Sequence, residues 1–309
     1  MQTTKQSTGL RTAAKDYQTI VQQAISKVTG FEQLCKDLER AINVSGKSKS
    51  TYTNYSRHLG HLALHYDMLP TELDQEQVLD YLHLVKANGS PSSTFFKFTV
   101  YGMRYACKLR GLPYQQFSLP SIDRNEKLPV VLNATEVKAL MSVCDLMKHR
   151  LLIGIAYGCG LRCAEVRTLK VADVDTEREM VHVRQGKGKK DRCLPMGVML
   201  ARGIKSYIDA EKPRTFLFEG NDGKAYSQRG AQWAILQAVK KAGIVKEVTL
   251  HTLRHTFATH LLEQGVNILT IKDLLGHAHI NTTMIYLHLA RPSVQVAFSP
   301  MDTLYNHCK

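Results

Sequence analysis

The sequence predicts a mainly α-helical protein with a small β-hairpin in the second of two domains. Three observations carry this. Apolar residues recur at steps of three and four along most of the chain, the signature of one buried helix face. Alternation of apolar and polar residues is clear over residues 180–184. A proline-bounded, charged stretch over residues 113–129 has no period and reads as a linker. With 309 residues the chain is long enough for two cores, since single cores stop growing at roughly 250 to 300 residues.

Residues 1–27 are polar and weakly patterned and read as a flexible, partner-dependent arm. A helical domain follows over residues 28–112. Tyr52, Tyr55, Leu59, Leu62 and Tyr66 make one apolar stripe, which reads as core. Asp74 and Gln77 have capping-box spacing ahead of Val78, Leu82 and Val85, and that helix stops near Asn88 and Gly89. Pro91 is expected in the first turn of the next helix. Phe96, Val100, Met103 and Cys107 form its buried stripe, leaving Lys97, Arg104 and Lys108 on other faces as candidate DNA contacts.

After the linker, residues 130–290 form a second domain. Asn133 and Glu136 cap its first helix. Residues 151–157 read as a buried helix ended by Gly158 and Gly160, with Arg162 just beyond. Strands over residues 180–184 and 192–195 flank a glycine-rich basic turn holding Lys187, Lys189 and Lys190, with Lys187 at the tip and Arg192 just after it; Lys189, Lys190 and Arg192 are further candidate DNA contacts. Thr249 caps a helix that runs to Gln264 and is closed by Gly265, a shorter helix ends at Gly276, and Tyr286 falls on a last helix begun around Asn281. Residues 291–309 form a tail.

Lysine and arginine number 41 against 27 acidic residues, a net charge of +14. This favours a polyanionic partner, nucleic acid first. Seven cysteines without a CxxC pair point to reduced thiols, and no stretch is apolar enough for a membrane span or a secretory signal. The expected location is the cytoplasm.

His251 and Arg254 stand three apart on a helix and project toward the same point. The guanidinium fork suits two phosphate oxygens at once, and Arg162 is a candidate second clamp. Tyr286 is inert as a free phenol, with a pKa of about 10, and becomes a plausible nucleophile beside several cations. Lys187 suits proton donation to a leaving hydroxyl, and His277 and His251 suit hydrogen bonding or proton shuttling. Competing assignments stand beside these. They are Arg162 as no more than a partner of Glu165, His277 as a helix terminator, Tyr286 as core, and Tyr157 or Tyr305 as the phenol in its place. His251 and His255, four apart, also raise a zinc site, but no HExxH glutamate accompanies them. Chemistry of this kind calls for no metal and no cofactor.

The pattern resembles that of the tyrosine recombinases of the phage integrase family, with an Xer-like layout, over roughly residues 40–295. The matching motifs are Gly160-Leu161-Arg162 with Glu165; Gly186-Lys187-Gly188 with Lys190 and Arg192; His251-Thr252-Leu253-Arg254-His255; and Leu274-Leu275-Gly276-His277 with Tyr286 nine residues on. The resemblance implies an N-terminal SAM-like core-DNA-binding domain and a catalytic domain that clamp duplex DNA at specific recombination sites. It implies that Arg162, Lys187, His251, Arg254 and His277 surround the scissile phosphate and that Tyr286 becomes a 3′-phosphotyrosine link. It further implies a homotetramer on two sites, or a heterotetramer with a second recombinase, whose tail docks on the neighbouring protomer through residues near Phe298. Such an enzyme serves a mobile element or the resolution of chromosomes or plasmids. Competing functions are a type IB topoisomerase and a non-catalytic DNA-binding protein of the same fold. Cys163-Ala164 and Val166 depart from the family's usual residues without touching the proposed chemistry.

Overall fold

The computed structural model describes residues 19–89, 92–115, 117, 128–184, 191–220 and 223–290. The chain divides into two compact units between Glu126 and Lys127, inside the stretch read as linker, most of which lies outside the described residues.

The first unit is helical throughout its described elements: α1 (Ile20–Lys27), α2 (Phe31–Val44), α3 (Lys49–Tyr66), α4 (Gln75–Ala87) and α5 (Ser93–Leu109). The first of these corrects the sequence reading, which placed residues 20–27 in a flexible arm. Thr19 and Gln22 form a capping box at its start, and Ala24 and Val28 are buried. Gly60 of α3 makes the packing possible: a Cβ there would stand 3.2 Å from Ile20 Cγ2, so the helix approaches over a bare backbone. The stripe was faint because only one side of a short, glutamine-rich helix is apolar. Residues 1–18 lie outside the described residues.

The expected α3 stripe holds at its centre. Leu59 and Leu62 are fully buried with Phe31, Leu34, Leu38 and Met103 in one core. Tyr66 donates its hydroxyl to Gln77 O at 2.6 Å, tying α3 to α4, and Asp74 and Gln77 form the expected capping box. Phe96, Val100, Met103 and Cys107 of α5 are all buried. Helix α5 begins at Ser93 with Ser92 as N-cap, so Pro91, outside the described residues, precedes the first turn instead of opening it. The cations on α5 differ in their engagement. Arg104 donates through Nε to Phe117 O at 2.5 Å, and Lys108 Nζ lies 5.9 Å from the Tyr114 ring centroid. Lys97 is half-buried.

The second unit begins with α6 (Ala134–Ser142), capped by Asn133 and Glu136, then α7 (Met147–Gly158) and α8 (Cys163–Thr168). Next come β1 (Val174–Asp175), β2 (Met180–Val183) and β3 (Arg192–Pro195), an antiparallel sheet in the order β1-β2-β3. The expected hairpin is β2 paired with β3, Val183 opposite Arg192. A two-residue strand such as β1 is too short to show alternation, so a third strand was not foreseen. The turn carrying Lys187, Lys189 and Lys190 lies outside the described residues. Helices α9 (Val198–Glu211), α10 (Gln228–Lys241), α11 (Leu250–Glu263), α12 (Ile268–Leu275) and α13 (Asn281–Met284) complete the unit, and a 3-10 turn, Ile285–His288, carries Tyr286.

Helix α7 is the centre of this unit. Leu152, Ile153, Ile155 and Ala156 are fully buried, so from Leu151 to Ala156 the helix is apolar on all sides, as its packing against α9, α10 and α11 requires. Helix α11 is held at its start by a Thr249–Thr252 capping box. Among the described residues no helix is long and apolar enough to cross a membrane.

Candidate active site

Three helix ends meet at the side of α11 that carries Arg254: the end of α7, the end of α12, and the N-terminus of α8. Arg254 itself is only 2 % exposed. Its Nη1 donates to Gly160 O at 2.7 Å, and its Nη2 to Leu275 O at 2.6 Å and to His277 Nε2 at 3.0 Å. Both carbonyls lie at helix ends, where backbone acceptors lack intrahelical partners. A buried guanidinium is thus solvated by the termini of two helices. Burial lowers its pKa to about 10, with Arg162 adding repulsion, and it stays cationic at neutral pH.

Gly160 is required by this arrangement. Its φ is +61°, and an added Cβ would stand 2.4 Å from Phe257 Cδ1. Gly160→Ala is therefore expected to shift the carbonyl that anchors Arg254 and to destabilise the unit by at least about 1 kcal/mol from backbone strain alone. Thermal unfolding of the variant checks this; an unchanged melting temperature contradicts it.

Glu165 on α8 is 9 % exposed and ties the arginines together. It accepts from the Arg162 backbone N–H at 2.8 Å and from Arg162 Nη1 at 2.9 Å. Arg192 grips the same carboxylate with both terminal nitrogens, at 3.0 and 2.8 Å, while its Nε donates to Leu274 O at 3.0 Å. Arg254 Nη1 lies 3.9 Å from Glu165 Oε2. Burial alone would raise the carboxyl's pKa; the hydrogen bonds from Arg192 and the Arg162 backbone, with the charges of both arginines, hold it at about 2.

Two sequence assignments change here. Arg192, expected to contact DNA, is 11 % exposed and engaged inside the protein by its bidentate pair with Glu165. Arg162 is both things the sequence left open: it pairs with Glu165, and its Nη2 reaches Gly276 O at 3.4 Å, beside the Arg254 guanidinium.

His277 also combines two readings. Its backbone N–H closes α12 on Lys272 O at 3.0 Å, next to Gly276 at φ +63°. Its ring bridges Arg254 Nη2 at Nε2 and Thr283 Oγ1 at Nδ1, 2.9 Å away. An arginine can only donate, so Nε2 accepts and Nδ1 carries the proton. Burial, followed by the charges of Arg254 and Arg162, depresses its pKa to about 4. The ring of His251 meets His255 edge-on at 4.9 Å, and its pKa is lowered by partial burial and then by Arg254 and Arg162.

Tyr286 is 1 % exposed and packs on Ala258, Ile271 and Leu275. Its hydroxyl lies 3.0 Å from His255 Nδ1. Burial raises its pKa, and the charges of Arg254 and Arg162 offset only part of that rise. Tyr286 is therefore core and cation-adjacent at once. His255 is the residue whose contact was missed, although its place four residues after His251 put it on the same helix face. Lys187, Lys189 and Lys190 lie outside the described residues.

Known proteins resemble this chain in sequence and fold. The model of the phage integrase family matches residues 130–292. Tyrosine recombinase XerA of Thermococcus kodakarensis is 34% identical, over 82% of this chain and 90% of the relative. A crystal structure of XerA recombinase has 26% identity and a TM-score of 0.51, covering 90% of this chain and 99% of that one. A XerH site-specific recombinase in a post-cleavage complex with difH DNA shares the fold at a TM-score of 0.67 and 23% identity, covering 88% of this chain and 84% of that one. With its own domain, relatives and fold in agreement, this chain belongs to the phage integrase family and is a tyrosine recombinase.

Proposed function

We propose that the protein recombines specific DNA sites through a 3′-phosphotyrosine intermediate formed by Tyr286. The observation that carries this reading is the single cluster in which the Tyr286 phenol, with His255 at its hydroxyl, lies within electrostatic reach of Arg254 and Arg162. The two guanidiniums hold the non-bridging oxygens and offset the negative charge that builds at phosphorus, and His251 and His277 complete the phosphate's surroundings. The phenolic oxygen forms the new P–O bond as the bond to the 5′ oxygen breaks, and Lys187 protonates the departing 5′ hydroxyl. Attack by a free 5′ hydroxyl reverses the step, so rejoining needs no ATP.

The first unit grips the duplex with surfaces that include Lys97 and Lys108. Four protomers, of this chain alone or with a second recombinase, assemble on two sites in the cytoplasm, the tail of each docking on its neighbour. Binding is expected to weaken steeply with salt, at a log–log slope of about −0.9 per neutralised phosphate.

The test uses two plasmids carrying the DNA that flanks the gene. Recombinant joints in the presence of purified protein, without added metal or nucleotide, are the expected result. Relaxation of site-free supercoiled DNA with no joints would replace this reading with a topoisomerase.

A further inference from the structure

Resting on the reading of Tyr286 as nucleophile, we propose that His255 is the general base that takes the phenolic proton as Tyr286 attacks phosphorus. Three observations converge. His255 Nδ1 and the Tyr286 hydroxyl are 3.0 Å apart, within the reach a proton transfer needs. Tyr286 is 1 % exposed, so bulk water has little access to the hydroxyl in this conformation. The imidazole is held neutral: burial first, then His251 and Arg254 on the same helix, lower its pKa to about 4. In the Nε2–H tautomer, Nδ1 offers its lone pair to the hydroxyl.

The groups around His255 define its electrostatics. His251 and Arg254 lie on its own helix, Tyr286 comes from the 3-10 turn, and His277 comes from the segment after α12. The charges that act on His255, those of His251 and Arg254, are positive and disfavour the imidazolium until a phosphate arrives. A phosphate between the arginines supplies the missing negative charge and makes proton acceptance by His255 favourable at the moment of attack.

The step balances. The Oη–H bond breaks and the proton passes to Nδ1. The electron pair left on Oη forms the bond to phosphorus, the P–O5′ bond breaks, and O5′ takes its proton from Lys187. On rejoining, the imidazolium returns its proton to the departing phenolate.

The test measures single-turnover cleavage of a duplex carrying the recombination site by His255→Ala and His255→Asn, with melting temperature and DNA retention followed in parallel. A base of this kind contributes about 100-fold or more, and that loss is the expected result for both variants. Placing the more acidic fluorotyrosine at position 286 should recover much of the loss, because a phenol that ionises readily needs less help. A 5′-bridging phosphorothiolate substrate, whose thiol leaves without a proton, should rescue Lys187→Ala and leave His255→Ala slow. A residue that only holds Tyr286 in place would gain nothing from the fluorotyrosine.

Cleavage by both folded variants at nearly the normal rate overturns the proposal. So does a defect that fluorotyrosine leaves untouched or that the phosphorothiolate removes. Tyr286→Phe separates the two levels: if it forms no adduct while His255→Ala cleaves normally, only the role of His255 fails. If Tyr286→Phe still forms the adduct, both readings fail.

Discussion

Arg254→Lys is expected to lower single-turnover DNA cleavage by on the order of 100- to 1,000-fold, the cost of losing one well-placed donor at a charged transition state. The charge survives the substitution but the geometry does not. Arg254 spans Gly160 O, Leu275 O and His277 Nε2 with its two terminal nitrogens, and a single ammonium on a flexible stem has no matching fork. Arg254→Ala goes further, because two buried carbonyls lose their donor at about 1–3 kcal/mol each. Its melting temperature should fall by several degrees, since about 1 kcal/mol corresponds to roughly 2–4 °C in a domain of this size. The comparison is diagnostic: a lysine variant that folds well and cleaves normally would show that the fork geometry is not needed. Cleavage rates at saturating DNA, measured beside melting curves, decide it.

The second large effect is on stability. Glu165→Gln should cost about 3–5 kcal/mol, the usual result of removing one partner from a buried charge pair. The amide cannot balance Arg192 and Arg162, both of which bond the carboxylate at 3.0 Å or less. The pH dependence follows from the same pair. The carboxyl's pKa is about 2 in the folded protein against 4.5 as a free side chain. A depressed folded pKa means that the stabilisation is fully present above about pH 4.5 and is lost as the pH falls from there toward 2. Denaturant unfolding of the natural protein and Glu165→Gln at neutral pH and near pH 3 checks this. The gap between the two should narrow in acid; a constant gap contradicts it.

Much of this molecule is legible locally. The capping boxes at Asp74 and Asn133 and the cap at Thr249 need only a few consecutive residues, and all three stand at helix starts. The stripes on α3 and α5 repeat often enough to reveal their buried sides. Helix α1 was missed because eight residues with glutamines on the outside carry too little pattern. Strand β1 was missed because two residues have no period.

The site divides the same way. Arg162, Arg254, His277 and Tyr286 were legible as a set and are brought together. The true partners were not legible, since they depend on distant segments. Arg192 looked like one of several cations in a basic turn, and its commitment to Glu165 joins residues 27 apart in sequence. The contact between His255 and Tyr286 joins residues 31 apart, and its geometry depends on a 3-10 turn where a regular helix was expected.

The central claim is that a fixed group of cations lets the phenol of Tyr286 break a DNA strand and hold the severed end. The most direct measurement traps the protein on a nicked duplex carrying its site, digests the adduct and identifies the linked residue by mass spectrometry. The account predicts a 3′-phosphate on Tyr286, absent in Tyr286→Phe and strongly reduced in Arg254→Lys. A phosphate on any other side chain, or an adduct that persists in Tyr286→Phe, would contradict it.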